Sequence, residues 1–220
     1  MIDLPIENKT IYSVLSAVVL SVATLYISFI PKQSDFCEIV FACGIAFAGY
    51  SYLSFFSNIK TCHVLGLGLI VRIGCIFAFP NLSDDIYRFV WDGQLSAQGM
   101  NPYGYLPSGI ITDMEGLYWK ELIFYISTFA GEHIWWSAFI IKICFLVAEL
   151  LTFTGVVRLL DNLKKNTSLA AIYFLNPLIM VEGIGNLHFE IIMVSFLVWA
   201  IYFTFIKKKI AIGSLLFVLS

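Results

Sequence analysis

The chain has 220 residues, 60% of them hydrophobic and 13% charged, with 20 Phe, 11 Tyr and a mean hydropathy of +0.87. That composition excludes an ordinary soluble domain, and a net charge of −2 excludes the basic face that nucleic acid requires, so no nucleic-acid partner is expected. Five cysteines, at 37, 43, 62, 75 and 144, lie in or beside apolar runs without metal-ligand spacing and read as small hydrophobes, not as disulfides or a metal site.

The first apolar run, 11–30, follows MIDLPIENK, whose Asp3 and Glu7 oppose Lys9, and no small-residue cleavage site closes it. It therefore reads as a retained membrane span and not as a secretory signal. Crossing ~30 Å of hydrocarbon takes ~20 helical residues. On that rule further spans fall at roughly 37–56, 62–79, 134–157, 168–182 and 189–206. A seventh begins near Ile210 and reaches only Ser220, which suggests the N-terminal portion of something longer. The expectation is an all-α polytopic bundle over 1–220, with about six complete spans and a partial seventh. No internal repeat or low-complexity segment interrupts it.

Lys9, Lys60, Arg158, Lys164, Lys165 and Lys207 to Lys209, eight of the thirteen basic residues, share one side if the N-terminus is cytoplasmic. The apolar stretch 121–130 is about ten residues long, and letting it cross would move DNLKKN and Lys207 to Lys209 outside. It is expected to lie at the interface. These assignments predict a multi-pass cell-membrane protein with an external loop, 80–121, and a smaller external turn, Glu182 to His188. A structureless loop of that length is unusual unless functional.

Within the loop, Ser83 precedes Asp84 and Asp85, a hydroxyl cap followed by acids at the positive end of a helix dipole. Gly99 and Asn101–Pro102 supply a stop. A capped helix accounts for the acids alone, but not for the face they share. Spacing at ~100° per residue groups Asp84, Asp85, Arg88 and Asp92 in one arc. Arg offers a planar fork for phosphate oxygens, and a carboxylate beside apolar surface gains basicity suited to a general base. Trp91, Tyr87 and Tyr103 are rings that either anchor at a membrane interface or stack on a sugar. Farther on, Asn176–Pro177 breaks a short span, and Glu182, Asn186, His188 and Glu190 bring polar groups to the same side. His188 suits holding a phosphate or passing a proton. Arg72, Lys142 and Glu149, inside spans, call for partners or a cavity. The expectations are pairing between spans or a shared cavity for Lys142 and Glu149. For Arg72 they are snorkelling outward or countering a buried acid.

The pattern LSDDIYRFVWDGQLSAQGMNPY resembles the first external loop of the GT-C class of integral membrane glycosyltransferases, above all bacterial polyprenyl-phosphate-sugar-dependent mannosyltransferases. FLNPLIMVEGIGNLHFEIIMV, from Phe174, resembles a later Asn-Pro and Gly-Asn-x-His segment of the same class. The resemblance implies Asp84 or Asp85 as catalytic base, a polyprenyl-phosphate sugar donor (mannose favoured), a lipid or glycan acceptor, and single displacement with inversion. Arg88, Trp91, Asp92, Asn101, Tyr103, Asn186 and His188 are then the candidate donor-binding residues. No cofactor is expected, although a close acidic pair also suits a divalent cation. The sequence departs from the class where Tyr118, Trp119 and Lys120 run into Glu121 without a Tyr-Pro-Pro segment, and in having fewer spans. The competing expectations are an inactive fragment and a transporter-like protein in which Arg72, Lys142 and Glu149 line a path.

Overall fold

A computed structural model of the chain describes residues 6–97, 100–101 and 133–220. Tyr103, the stretch 121–130 and the loop from residue 102 onward lie outside the described residues. Every regular element among those described is helical. Helices α1 (Ile6–Phe29) and α2 (Phe36–Ser51, continued by a π turn to Phe56) form an antiparallel pair. Helix α3 (Thr61–Ile76) leads to α4 (Asp85–Ala97), and the long α5 (Ile134–Asn162) follows. A 3-10 turn (Thr167–Ala170), the short α6 (Ala171–Phe174) and a π turn (Ile179–Gly185) precede α7 (Glu190–Ile201, widened to Ile206) and α8 (Ile210–Leu219).

Among the described residues three helices, Lys9–Phe29, Phe36–Phe56 and Ile134–Asn162, are long and apolar enough to cross a membrane, or four if the bent pair Thr167–Phe174 and Ile179–Gly185 makes one span. Helix length and composition alone thus support three or four of the expected six spans. Each predicted span has a helix, but α3 has 16 residues and rises about 24 Å, short of ~30 Å of hydrocarbon. Glu190–Ile206 falls short likewise, and the fifth is bent by 63°. The bend sits at Asn176–Pro177: Pro177 has no N–H, and the N–H of Leu178 donates to Asn176 Oδ1 at 3.0 Å instead of continuing the ladder.

The core runs along the middle of the bundle through Leu20, Ala46, Val71, Phe145, Phe174 and Ile184. Phe36, Phe41, Phe56, Phe205 and Val218 stand exposed on its outside. An apolar exterior around a packed interior is what hydrocarbon surroundings permit. At Gly49 a Cβ would stand 2.7 Å from Ser16 O, so the lack of a side chain there lets α2 lie against the α1 backbone. At the end opposite α4, Lys164 takes a left-handed φ of 54°, and the N–H of Lys165 closes onto Leu160 O at 2.8 Å, ending α5.

Candidate active site

The chain reaches α4 through a fixed departure from α3. Lys142 of α5, fully buried, donates from Nζ to Cys75 O at 3.0 Å and Ala78 O at 2.7 Å where α3 ends; Cys75 O also accepts from the Ala78 N–H at 3.2 Å. Its charge is met by the negative end of a helix dipole and by oriented carbonyls. Asn81 Nδ2 then donates to Phe29 O, and Leu82 packs beside Ile27, Ala42 and Val181, which ties the segment before α4 to α1, α2 and the π turn.

Ser83 caps α4 as its sequence suggests. Its hydroxyl accepts from the N–H of Asp85 at 3.2 Å and donates to Asp85 Oδ2 at 2.8 Å. Asp84 stands just before the helix, its carbonyl accepting from the N–H of Tyr87 at 3.2 Å. Asp84 and Asp85 are both exposed. The opposite face of α4 is anchored by fully buried Ile86 and by Phe89, whose ring meets Phe189 edge-on at 5.0 Å; Phe189 in turn meets Phe145 of α5 at 4.8 Å. The amphipathic pattern of α4 thus presents its acidic start while its apolar residues seat it on the bundle.

The arc predicted for the four charged residues is not uniformly open. Arg88 is half-buried, and its Nε lies 2.7 Å from Asp92 Oδ1, while the guanidinium sits 5.3 Å from the centre of the Trp91 ring. Asp92 itself is only 7% exposed. Burial raises the Asp92 carboxyl above the usual carboxylate range, opposed by the hydrogen bond and charge of Arg88. Asp92 therefore orients Arg88 from beneath and is not an open surface group. Asn101, exposed, follows α4.

The turn after the π segment is a second polar group. Leu187 adopts a left-handed φ of 65°, a conformation in which a leucine is uncommon. That reversal brings the N–H of His188 to Glu182 O at 3.1 Å and the imidazole between two carboxylates, Nε2 at 3.2 Å from Glu182 Oε2 and Nδ1 at 3.6 Å from Glu190 Oε2. Buried Asn186 donates to Glu182 Oε2 at 3.4 Å. Glu182 and Glu190 were visible in the sequence as polar residues, but their part in bracketing His188 depends on the Leu187 backbone, which no residue type signals. At Gly183 a Cβ would stand 2.1 Å from Ile191 Cδ1, so the glycine lets the turn fold onto α7.

The groups are joined by Phe89 meeting Phe189, adjacent to His188, and by Leu82 packing on the small apolar cluster of Ile27, Ala42 and Val181, the last adjacent to Glu182. The Phe89–Phe189 contact seats α4 beside the end of the turn that carries His188. Among the described residues no three of His, Cys, Asp and Glu form a metal-sized group, so the Asp84–Asp85 pair has no third protein ligand there.

The charges within the helices find partners. Arg72 and Glu149 are fully buried and ion-paired, Nη2 to Oε2 at 2.5 Å and Nε to Oε2 at 3.0 Å. Lys142 is held by carbonyls. Pairing is the outcome; the expectations of a path or shared cavity lined by Arg72, Lys142 and Glu149, and of Arg72 snorkelling outward, are set aside by these contacts.

A family model described as alpha-(1->6)-mannopyranosyltransferase, N-terminal domain (the MptA_B family), matches residues 11–220 and so takes in both α4 and the His188 turn. Comparison with curated proteins and with solved structures found no match.

Proposed function

The chain belongs to the MptA_B family of alpha-(1->6)-mannopyranosyltransferases, and on that premise we propose that α4 and the His188 turn form the transfer site of a glycosyltransferase that moves mannose from a polyprenyl-phosphate donor. The family makes the chain part of a sugar-transferring enzyme with a donor and an acceptor. The donor's lipid phosphate, a lipid or glycan acceptor, and a site at the external face, reached by about six spans from a cytoplasmic N-terminus, are our reading.

The supporting observation is the seating of α4: exposed Asp84 and Asp85 at a capped helix start, fixed by Ile86 and Phe89 against the turn that carries His188. A prenyl tail keeps such a donor in the bilayer and its phosphate at the surface, so the chemistry belongs where helix ends meet water. The acceptor hydroxyl attacks the anomeric carbon. As its oxygen forms the new bond, the proton passes to Asp84 or Asp85, and the bond from that carbon to the phosphate oxygen breaks, leaving its electron pair on the phosphate. Attack opposite the leaving group inverts the centre. Arg88, held in place by Asp92, offers its free guanidinium edge to the phosphate. Trp91 and Tyr103 provide rings for the sugar, and Asn101, Asn186 and His188 provide polar contacts to it or to the phosphate.

The test is transfer from a panel of polyprenyl-phosphate sugars to membrane acceptors by the wild type, Asp84→Asn and Asp85→Asn. One of the two variants is expected to lose about 100-fold or more in kcat, the scale of a general base, with the mannose donor preferred. Equal transfer by all three removes the acids from the chemistry.

A further inference from the structure

The Arg72–Glu149 pair takes no part in the transfer just described, yet it carries more interactions than charge neutralisation needs. The break at Asn176–Pro177 strips the Phe174 carbonyl of both its ordinary helical donors: Pro177 has no N–H, and the N–H of Leu178 is bonded to the Asn176 side chain. Arg72 Nη1 supplies the missing donor at 2.7 Å, and also bonds Gly68 O at 3.2 Å. Its guanidinium lies 3.9 Å from the centre of the Phe174 ring. Gly68 makes room for that stack, since a Cβ there would stand 2.5 Å from the ring.

Glu149 is used at both oxygens. Oε2 takes Arg72, and Oε1 accepts from Tyr173 Oη at 3.0 Å. Two residues just before the break, Tyr173 and Phe174, are thus fastened to α5 and α3 through one buried, electrically neutral unit. Past the break the π turn (Ile179–Gly185) packs against α1, α3 and α5 and leads into Asn186 and His188, so its direction is set where Phe174 is fastened and by that packing.

We infer that Arg72 and Glu149 are positioning residues: they lock the broken helix at Phe174 so that the His188 turn stands at one fixed distance from α4. The pair acts through the backbone and touches neither sugar nor phosphate. The inference rests on reading α4 and the turn as one site, and its consequence for catalysis is a preorganised gap between the acids and His188.

The measurement is the distance distribution between spin labels on noncanonical residues at Tyr87 and Glu190, both exposed, in the full chain in lipid nanodiscs. A control pair at Val14 and Phe55, also exposed, reports on α1 and α2. The double variant Arg72→Gln/Glu149→Gln leaves no uncompensated buried charge. Arg72→Lys keeps the charge but loses the planar fork that bridges Glu149 and the Phe174 carbonyl. Both are expected to widen the Tyr87–Glu190 distribution by about twofold or more, as for a released hinge, and to leave the control unchanged. The same variants should lower transfer by about 100-fold, mostly in kcat. An unchanged Tyr87–Glu190 distribution in either folded variant, or equal widening of both pairs, overturns the inference. A wild type that transfers no sugar while the distribution widens as expected refutes the proposed function and leaves the lock standing.

Discussion

Asp92 shows how one side chain is set by its surroundings. Asp84, Asp85 and Asp92 belong to one helix face by spacing, yet only Asp92 is turned under, where burial holds its carboxyl above the ordinary range despite Arg88. A raised native value means that the folded protein holds that proton to higher pH than the unfolded chain. The contribution is therefore fully present below the ordinary carboxylate pKa of about 3.9, and it is lost as pH rises through the native value. Asp92→Asn abolishes this dependence. Subtracting the variant's thermal midpoint from that of the wild type at each pH should give a difference that falls across that window and then levels off. A flat difference contradicts a raised native pKa.

At the scale of elements, the short helices depend on neighbours for what their own ends lack. Lys142 of α5 bonds two carbonyls where α3 ends in the interior, so the start of the α4 segment is fixed by a helix more than sixty residues away in sequence. Lys142→Met retains the volume and removes the donors, leaving the carbonyl of Ala78, itself buried, without that partner. The cost should be about 2 kcal/mol in SDS-titrated unfolding of the reconstituted protein. Arg88 and Asp92, on one helix with Arg88 half in water, contribute far less to stability, about 0.3–0.5 kcal/mol for such a pair. Their worth lies in aiming the guanidinium.

For the molecule as a whole, hydropathy located every described helix outside α4, because apolar runs and their Lys-rich ends carry the pattern directly. Run length does not show how a helix ends: α3 is cut short at its Lys142-held end, and Pro177 together with the Asn176 side chain bends the fifth run. The acidic start of α4 was legible as cap chemistry at Ser83. The burial of Asp92 and the Leu187 reversal were not, since both follow from tertiary packing. Sidedness, which sequence reaches only through charge bias, can be read from two native thiols. Cys37, at the start of α2, and Cys62, at the start of α3, are both exposed and lie at opposite ends of the bundle. With the N-terminus inside, a membrane-impermeant maleimide should label Cys37 in intact cells and reach Cys62 only after permeabilisation; the reverse pattern inverts the proposed topology.

The buried Arg72–Glu149 bond also bears on how such a chain is made. An unpaired arginine within a membrane helix is costly, and α3 has only 16 residues to offset it. Its neutralising acid is 77 residues downstream. At ~5–20 residues per second a ribosome takes about 4–15 s to supply it. On the proposed topology, α3 carries that charge unpaired during the interval, until α5 arrives to neutralise it.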